Sequence, residues 1–195
     1  MHRTTVGLLA CCLEIATRNS VLSMTAADAP EAYPDLDGDE RTTLTQFLDH
    51  YRHQATTQLL RLSDSQARTR SLPATALTPG GVVKHLAHME DHWFTARIGG
   101  GQLPEPWSSA PFESRPDWDF ESSIEDSVGE IAALYREACG RSRRVAERLP
   151  SLDTKAPRPS FGKGPVTLRW VMVHMLEETA CHAGHLQLLT DPVLA

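Results

Sequence analysis

The chain is poor in cysteine, in basic clusters and in long apolar runs, and each shortage closes a class of function. Its four cysteines, Cys11, Cys12, Cys139 and Cys181, form no CxxC pair and keep no regular spacing. A disulfide framework is therefore not expected, and a reducing, cytoplasmic setting is the simpler expectation. The basic run RSRR at 141–144 is brief and the net charge is -6, so the basic face that phosphate neutralisation needs is missing and nucleic acid is not an expected partner. No stretch approaches the ~18 apolar residues of a membrane span, so a membrane is not an expected partner. An alternating strand pattern of useful length is also missing. What remains is ordinary: 23% charged and 41% hydrophobic residues over 195 positions fit one domain and decide between neither an enzyme nor a binding module.

The first residues, MHRTTVGLLACCLEIA, resemble a secretory signal until Glu14 interrupts the apolar stretch, whose core VGLLACCL is short for that purpose. They read as a weakly ordered extension, with Met1 and Met24 as alternative starts. TAADAPEAYPDLDGDE follows, rich in Ala, Pro and acid, and suits a surface arm. Residues 1–38 are thus expected to be extension and arm, and 39–195 a helical domain.

Within that domain the apolar residues recur at steps of three and four. Leu44, Phe47, Leu48, Tyr51, Ala55, Leu59 and Leu62 predict a first helix over 39–62. A polar linker then reaches Thr78-Pro79, an N-cap followed by a first-turn proline, and Val82, Leu86, Met89 and Trp93 carry a second helix to about Ile98, ended by Gly99, Gly100 and Gly101. A third helix is expected over 121–149, with Ile124, Val128, Ile131, Leu134 and Tyr135 on its stripe, and a fourth over 166–190. Between the second and third lies QLPEPWSSAPFESRPDWDF, too aromatic for a passive linker and too rich in proline for a helix. It is expected to fold back along the bundle, with Trp107, Phe112 and Trp118, either as a roof over the site described next or as a cover that packs over a groove elsewhere and only seals the core. A four-helix bundle with long irregular loops is the economical architecture.

Six of the nine histidines fall in two of these helices: His85, His88 and His92 in VVKHLAHMEDHW, and His174, His182 and His185 in WVMVHMLEETACHAGH. Glu178 and His182 are four apart, so they stack one turn above the other and their side chains can meet at one point. With the second helix alongside, His85 supplies a third donor, and two imidazoles with one carboxylate form a metal site with open positions. The competing reading is a solvated His/Glu face, since Met172, Leu176, Thr179, Ala183 and Leu186 offer a rival apolar side. Burial of an unpaired carboxylate is costly and a metal satisfies it, which weighs for the metal. His174 is a candidate to orient Glu178 and His88 to line the cavity. Glu90 and Glu177 read as surface or capping carboxylates, and Cys181 as a small packing residue.

Three stretches, GDERTTLTQFLDHYR, LTPGGVVKHLAHMEDHWF and LRWVMVHMLEETACHAGHLQLL, together resemble the DinB-like superfamily of four-helix metalloproteins, in the branch related to mycothiol-dependent maleylpyruvate isomerase. The resemblance covers residues ~39–190. It implies an all-α DinB-like bundle whose metal ligands are His85, Glu178 and His182. Many relatives have His at the position of Glu178, while the isomerase branch is similar in using Glu. His185 stands where many have Gln and so falls beside the ligands. The metal implied is divalent, zinc before nickel or iron, and the partner a small molecule, in particular mycothiol or a related thiol, in a monomer or homodimer.

The resemblance implies thiol transfer or isomerisation, the metal holding a thiolate for an electrophile. Two other classes stay open. One is hydrolysis by metal-bound hydroxide, for which His174 or His88 would serve as base. The other is a non-catalytic metal-binding stress-response module, in which His174 or His185 completes the coordination.

Overall fold

A computed structural model describes residues 33–160 and 162–195. The expectations for residues 1–24, and for the arm up to residue 32, lie outside the described residues. The end of the arm is tied down: the Asp35 backbone N–H donates to Gln46 Oε1 and Gln46 Nε2 returns a bond to Asp35 Oδ2, both 2.8 Å, while Tyr33 packs edge-on against Phe47.

The protein is all-α. Helix α1 (Glu40–Leu60) starts where Asp39 accepts from the Thr42 N–H, satisfying one of the donors that every helix start leaves unpaired. A single turn, α2 (Asp64–Ala67), follows in the segment read as a linker, closed by a capping box between Ser63 and Gln66. Helix α3 (Pro79–Glu90) opens with Thr78 as N-cap and Pro79 in its first turn, as the sequence dictates. It continues into a π-helix over Asp91–Ile98. The widened turns begin where two consecutive carboxylates, Glu90 and Asp91, both point inward. Gly100, at φ 69°, then takes the chain out of the helix in a conformation that side chains disfavour.

The third long helix starts later than its apolar pattern suggests. Residues Trp118–Glu121 form a short helix, α4, then a 3₁₀ turn at Ser122–Glu125. Helix α5 (Val128–Arg148) begins only where Ser127 and Glu130 make a capping box. Ile124, expected on its core stripe, is consequently exposed at 57%. Helix α6 (Leu168–Leu194) runs from its N-cap Thr167 past the expected end at 190, with Pro192 near its end. The described residues contain isolated β-bridges, Lys155 to Thr167 and Ser160 to Gly164, but no strand.

The four long helices pack chiefly as α1 on α6 and α3 on α5, with α3 also against α6. Two apolar clusters form the core. One holds Leu59, Val82, Leu86, Ile131, Tyr135 and Leu186; the other Leu48, Trp93, Phe94, Val171, Met172 and Met175. Three of the long helices also bury polar groups: Arg52 from α1, Glu90 from α3, with Asp91 at the start of the π-helix that continues it, and Ser142 from α5. Arg52 meets Glu90 through two bonds of 2.8 and 2.6 Å and also donates to Asp49 at 2.8 Å. Asp91 accepts from Arg141 at 2.7 and 2.8 Å and from the Trp107 indole N–H at 3.0 Å. Glu90, read as a surface or capping group, is thus a fully buried ion-pair partner. Its carboxylate is tolerated because a planar guanidinium matches both oxygens. No helix among the described residues is long and apolar enough to cross a membrane.

Candidate metal centre

His85 stands on α3 at a half-buried position facing α6, where Glu178 and His182 lie one turn apart. Glu178 Oε1 is 3.1 Å from His85 Nε2 and 3.2 Å from His182 Nε2, and the three donor atoms lie within 4.8 Å of one another. The side chains are 15%, 25% and 14% exposed, so the cluster is shielded yet reachable. A solvated helix face would leave these groups largely in water, and this one does not.

The outer side of His85 is held by a residue the sequence reading did not single out. Asp119, on α4, brings Oδ2 to 2.9 Å from His85 Nδ1 and 2.8 Å from His88 Nδ1. Its side chain is 4% exposed, and its Oδ1 accepts from the Phe120 N–H. With both imidazole Nδ1 atoms donating to this carboxylate, Nε2 of His85 is turned toward Glu178, to which it donates while the ring is charged and beside which its lone pair would serve a metal that displaces that proton. Phe120 lies flat on the His85 ring, centroids 4.2 Å apart. Gly81 makes this approach possible: a Cβ there would stand 3.1 Å from the Phe120 carbonyl oxygen and 3.3 Å from Ser123 Oγ. The loop does fold back along the bundle, but Phe120 and Asp119 are the residues that reach the cluster. Trp107, placed on the roof by the sequence reading, is instead buried, stacked on His88 at 5.0 Å and bonded to Asp91.

The other histidines separate by what they touch. His88 is stacked between Trp107 and Phe112 and linked to His85 through Asp119. His185 Nδ1 is 3.4 Å from His182 Nδ1, beside the cluster. His174 stacks on Trp170 and meets Trp93 edge-on; no bond joins it to Glu178 among the described residues. Cys181 is exposed rather than packed, its Sγ 3.9 Å from His185 Nε2, because the position beside His182 on the helix turns it outward.

The electrostatics are those of a site built for positive charge. Burial works against a charged His85, but its bonds to Asp119 and Glu178 outweigh this and push its pKa up to about 9. Bonds from His182 and then His85 hold Glu178 well below the usual carboxylate range despite partial burial. Asp119, against the larger penalty of burial, is likewise held low by His85 and His88. Two neutral imidazole nitrogens and a carboxylate oxygen form the donor set of an open divalent site, and an outer carboxylate on one histidine is the usual support for such a set. The residues therefore fit a divalent metal.

A family model described as mycothiol-S-transferase matches residues 43–191, which include both helices of the cluster and the loop that carries Asp119. The chain belongs to the mycothiol-S-transferase family. This is a DinB-like family, and the bundle agrees with it. Among solved structures, a conserved protein from Enterococcus faecalis is similar at a TM-score of 0.63 and 11% identity, over 81% of this chain and 99% of that one, which bears on the fold alone. No curated protein matches the chain.

Proposed function

We propose that this mycothiol-S-transferase family member joins the sulfur of a low-molecular-weight thiol, mycothiol, to an electrophilic small molecule, at one divalent metal held by His85, Glu178 and His182. The observation that carries the reading is the meeting of three donors from α3 and α6 within 4.8 Å inside the segment that the family model matches. Zinc suits two imidazoles and a carboxylate with a position left open. When bound, it supplies the positive charge that favours thiolate over thiol, and the thiolate is the nucleophile.

The chain's own residues prepare that position. Glu178 contributes the negative donor, and its low pKa keeps it ionised without help from pH. Asp119 accepts from His85 Nδ1, so that Nε2, on the side of Glu178, is the nitrogen that would hold the metal once its own proton is displaced. Phe120 keeps water from one face of that ring. In the reaction the thiol gives up its proton, a carbon–sulfur bond forms at the electrophile, and the group displaced there leaves with the electron pair of the broken bond. The test is consumption of mycothiol with a panel of electrophiles by protein of measured zinc content. Turnover that follows zinc content and is lost in His182→Ala supports the proposal; thiol consumption that is equal with and without metal sinks it.

A further inference from the structure

Two cavities of similar size carry arginines, and they differ in how those arginines are engaged. The larger, about 520 Å³ between α1, α5 and α6, is lined by Arg41, Arg52 and Arg143. Each is already committed: Arg41 to the Ala146 and Leu149 carbonyls, Arg52 to Glu90 and Asp49, Arg143 to Asp49. The second, about 500 Å³, lies between α4 and the α2–α3 connection and is lined by Arg68, Arg70 and Arg115 with Leu77, Phe120 and Ile124. Here the guanidinium groups are less fully spent. Arg115 is paired with Glu121 and Arg68 gives one bond to the Asp126 carbonyl. Arg70 donates to no protein acceptor among the described residues. Asp117 is the other acidic group on the wall, so three positive charges face two negative ones.

The position matters as much as the charge. Phe120 lines this cavity and is also the ring stacked on His85 at 4.2 Å, so one side chain forms the partition between the cavity and the candidate metal centre. A ligand whose acid group meets Arg70 would lay its body along Leu77 and Phe120, against the ring that separates the cavity from the cluster.

We propose that this cavity binds the carboxylate of an organic acid with a small apolar or aromatic body, and that such an acid is the electrophile of the thiol transfer. The second clause rests on the proposed function above; the anion site does not. Arginine selects for carboxylate by charge and by the match of its planar fork to two oxygens, and the apolar wall accounts for the body. For an aryl chloride the balance is simple: the thiolate forms a bond to the ring carbon, chloride leaves with the electron pair of the carbon–chlorine bond, and the thiol proton passes to solvent.

The test uses the full-length protein with 4-chloro-3-nitrobenzoate and the corresponding amide, and compares wild type with Arg70→Gln. Arg70 is exposed and donates no bond among the described residues, so its replacement is expected to leave the fold intact. Binding is measured by calorimetry with and without a chelator, which separates this cavity from direct contact of the acid with a metal. The acid is expected to bind at least about tenfold more tightly than the amide, chelated or not, with that preference lost in Arg70→Gln. Equal binding of acid and amide, or an acid affinity unchanged in Arg70→Gln, overturns the anion site. Preferential binding of the acid without metal-dependent thiol consumption leaves the anion site standing and removes the transfer. Turnover of acid and amide alike, with KM unaffected by Arg70→Gln, does the reverse.

Discussion

Asp119 Oδ2 sits 2.9 Å from His85 Nδ1, on the side of the imidazole away from Glu178. A four-residue helix in the middle of a long loop thereby fixes the orientation of a side chain on a long helix of the bundle. If His85 is a metal ligand, loss of that support weakens metal binding without removing a donor. Asp119→Asn is expected to lower zinc affinity by roughly 10–100-fold, measured by competition with a chromogenic chelator, with helix content unchanged. An affinity equal to wild type would mean that Asp119 serves only His88.

Trp107 and Phe120 belong to the same loop but have different surroundings, and their truncations should differ accordingly. Trp107 is buried against His88 and bonds Asp91, so Trp107→Ala should cost stability by roughly 3–5 kcal/mol, as for other buried aromatic truncations, read by denaturant unfolding. Phe120 is half-buried on His85, and Phe120→Ala should change thiol affinity in metal-loaded protein more than it changes stability. The opposite assignment of effects would show that Trp107, not Phe120, covers the site.

The Arg52–Glu90 pair is buried on both sides, at 5% and 0% side-chain exposure. Glu90→Gln takes from the Arg52 guanidinium its buried carboxylate and leaves only the more exposed Asp49 to pair with it, a change expected to cost up to about 3–5 kcal/mol. Each kilocalorie lowers the melting temperature of a domain this size by about 2–4 °C, so a clear fall is expected in a thermal scan, with metal content unchanged. A melting temperature within a degree or so of wild type would show that Asp49 alone holds Arg52.

His92 predicts a pH dependence. Burial, then the positive charges of Arg97, His88 and His174, lower its pKa from 6.5 to about 4, and its Nε2 accepts from Arg97 at 3.2 Å. The unfolded chain therefore takes up this proton first. The stability that neutral His92 contributes is present above pH 6.5 and is lost as the pH falls toward 4. His92→Gln should flatten the stability profile between those values; a slope unchanged from wild type would contradict the assignment.

The helices and the stacking of Glu178 on His182 were legible in the sequence because each depends on local information, whereas His85 joined that pair only on the condition that the second helix packs alongside. Apolar steps of three and four mark the buried stripes, Thr78-Pro79 and Thr167 sit at helix starts, and Glu178 and His182 are neighbours by helix geometry alone. What was not legible depends on contacts between distant segments. Glu90 and Asp91 look like a solvated acidic pair until Arg52 and Arg141 arrive from other helices. Asp119 sits among Trp118 and Phe120 in a loop whose aromatics signalled order but not its target. Ile124 fits the helical period of α5, yet the capping box of Ser127 and Glu130 starts that helix one residue after Ser127 and leaves Ile124 outside.

His85, Glu178 and His182 are proposed to hold a metal to which the thiol binds through sulfur. Cobalt(II) in place of zinc reports both halves in a single titration with mycothiol, because a bound thiolate adds a sulfur-to-cobalt charge-transfer band in the near ultraviolet. One cobalt per chain is expected, with a band that saturates at one thiol per metal and loss of both in a folded His182→Ala variant. Cobalt bound with no change on adding thiol, or the same band retained in His182→Ala, would contradict that proposal.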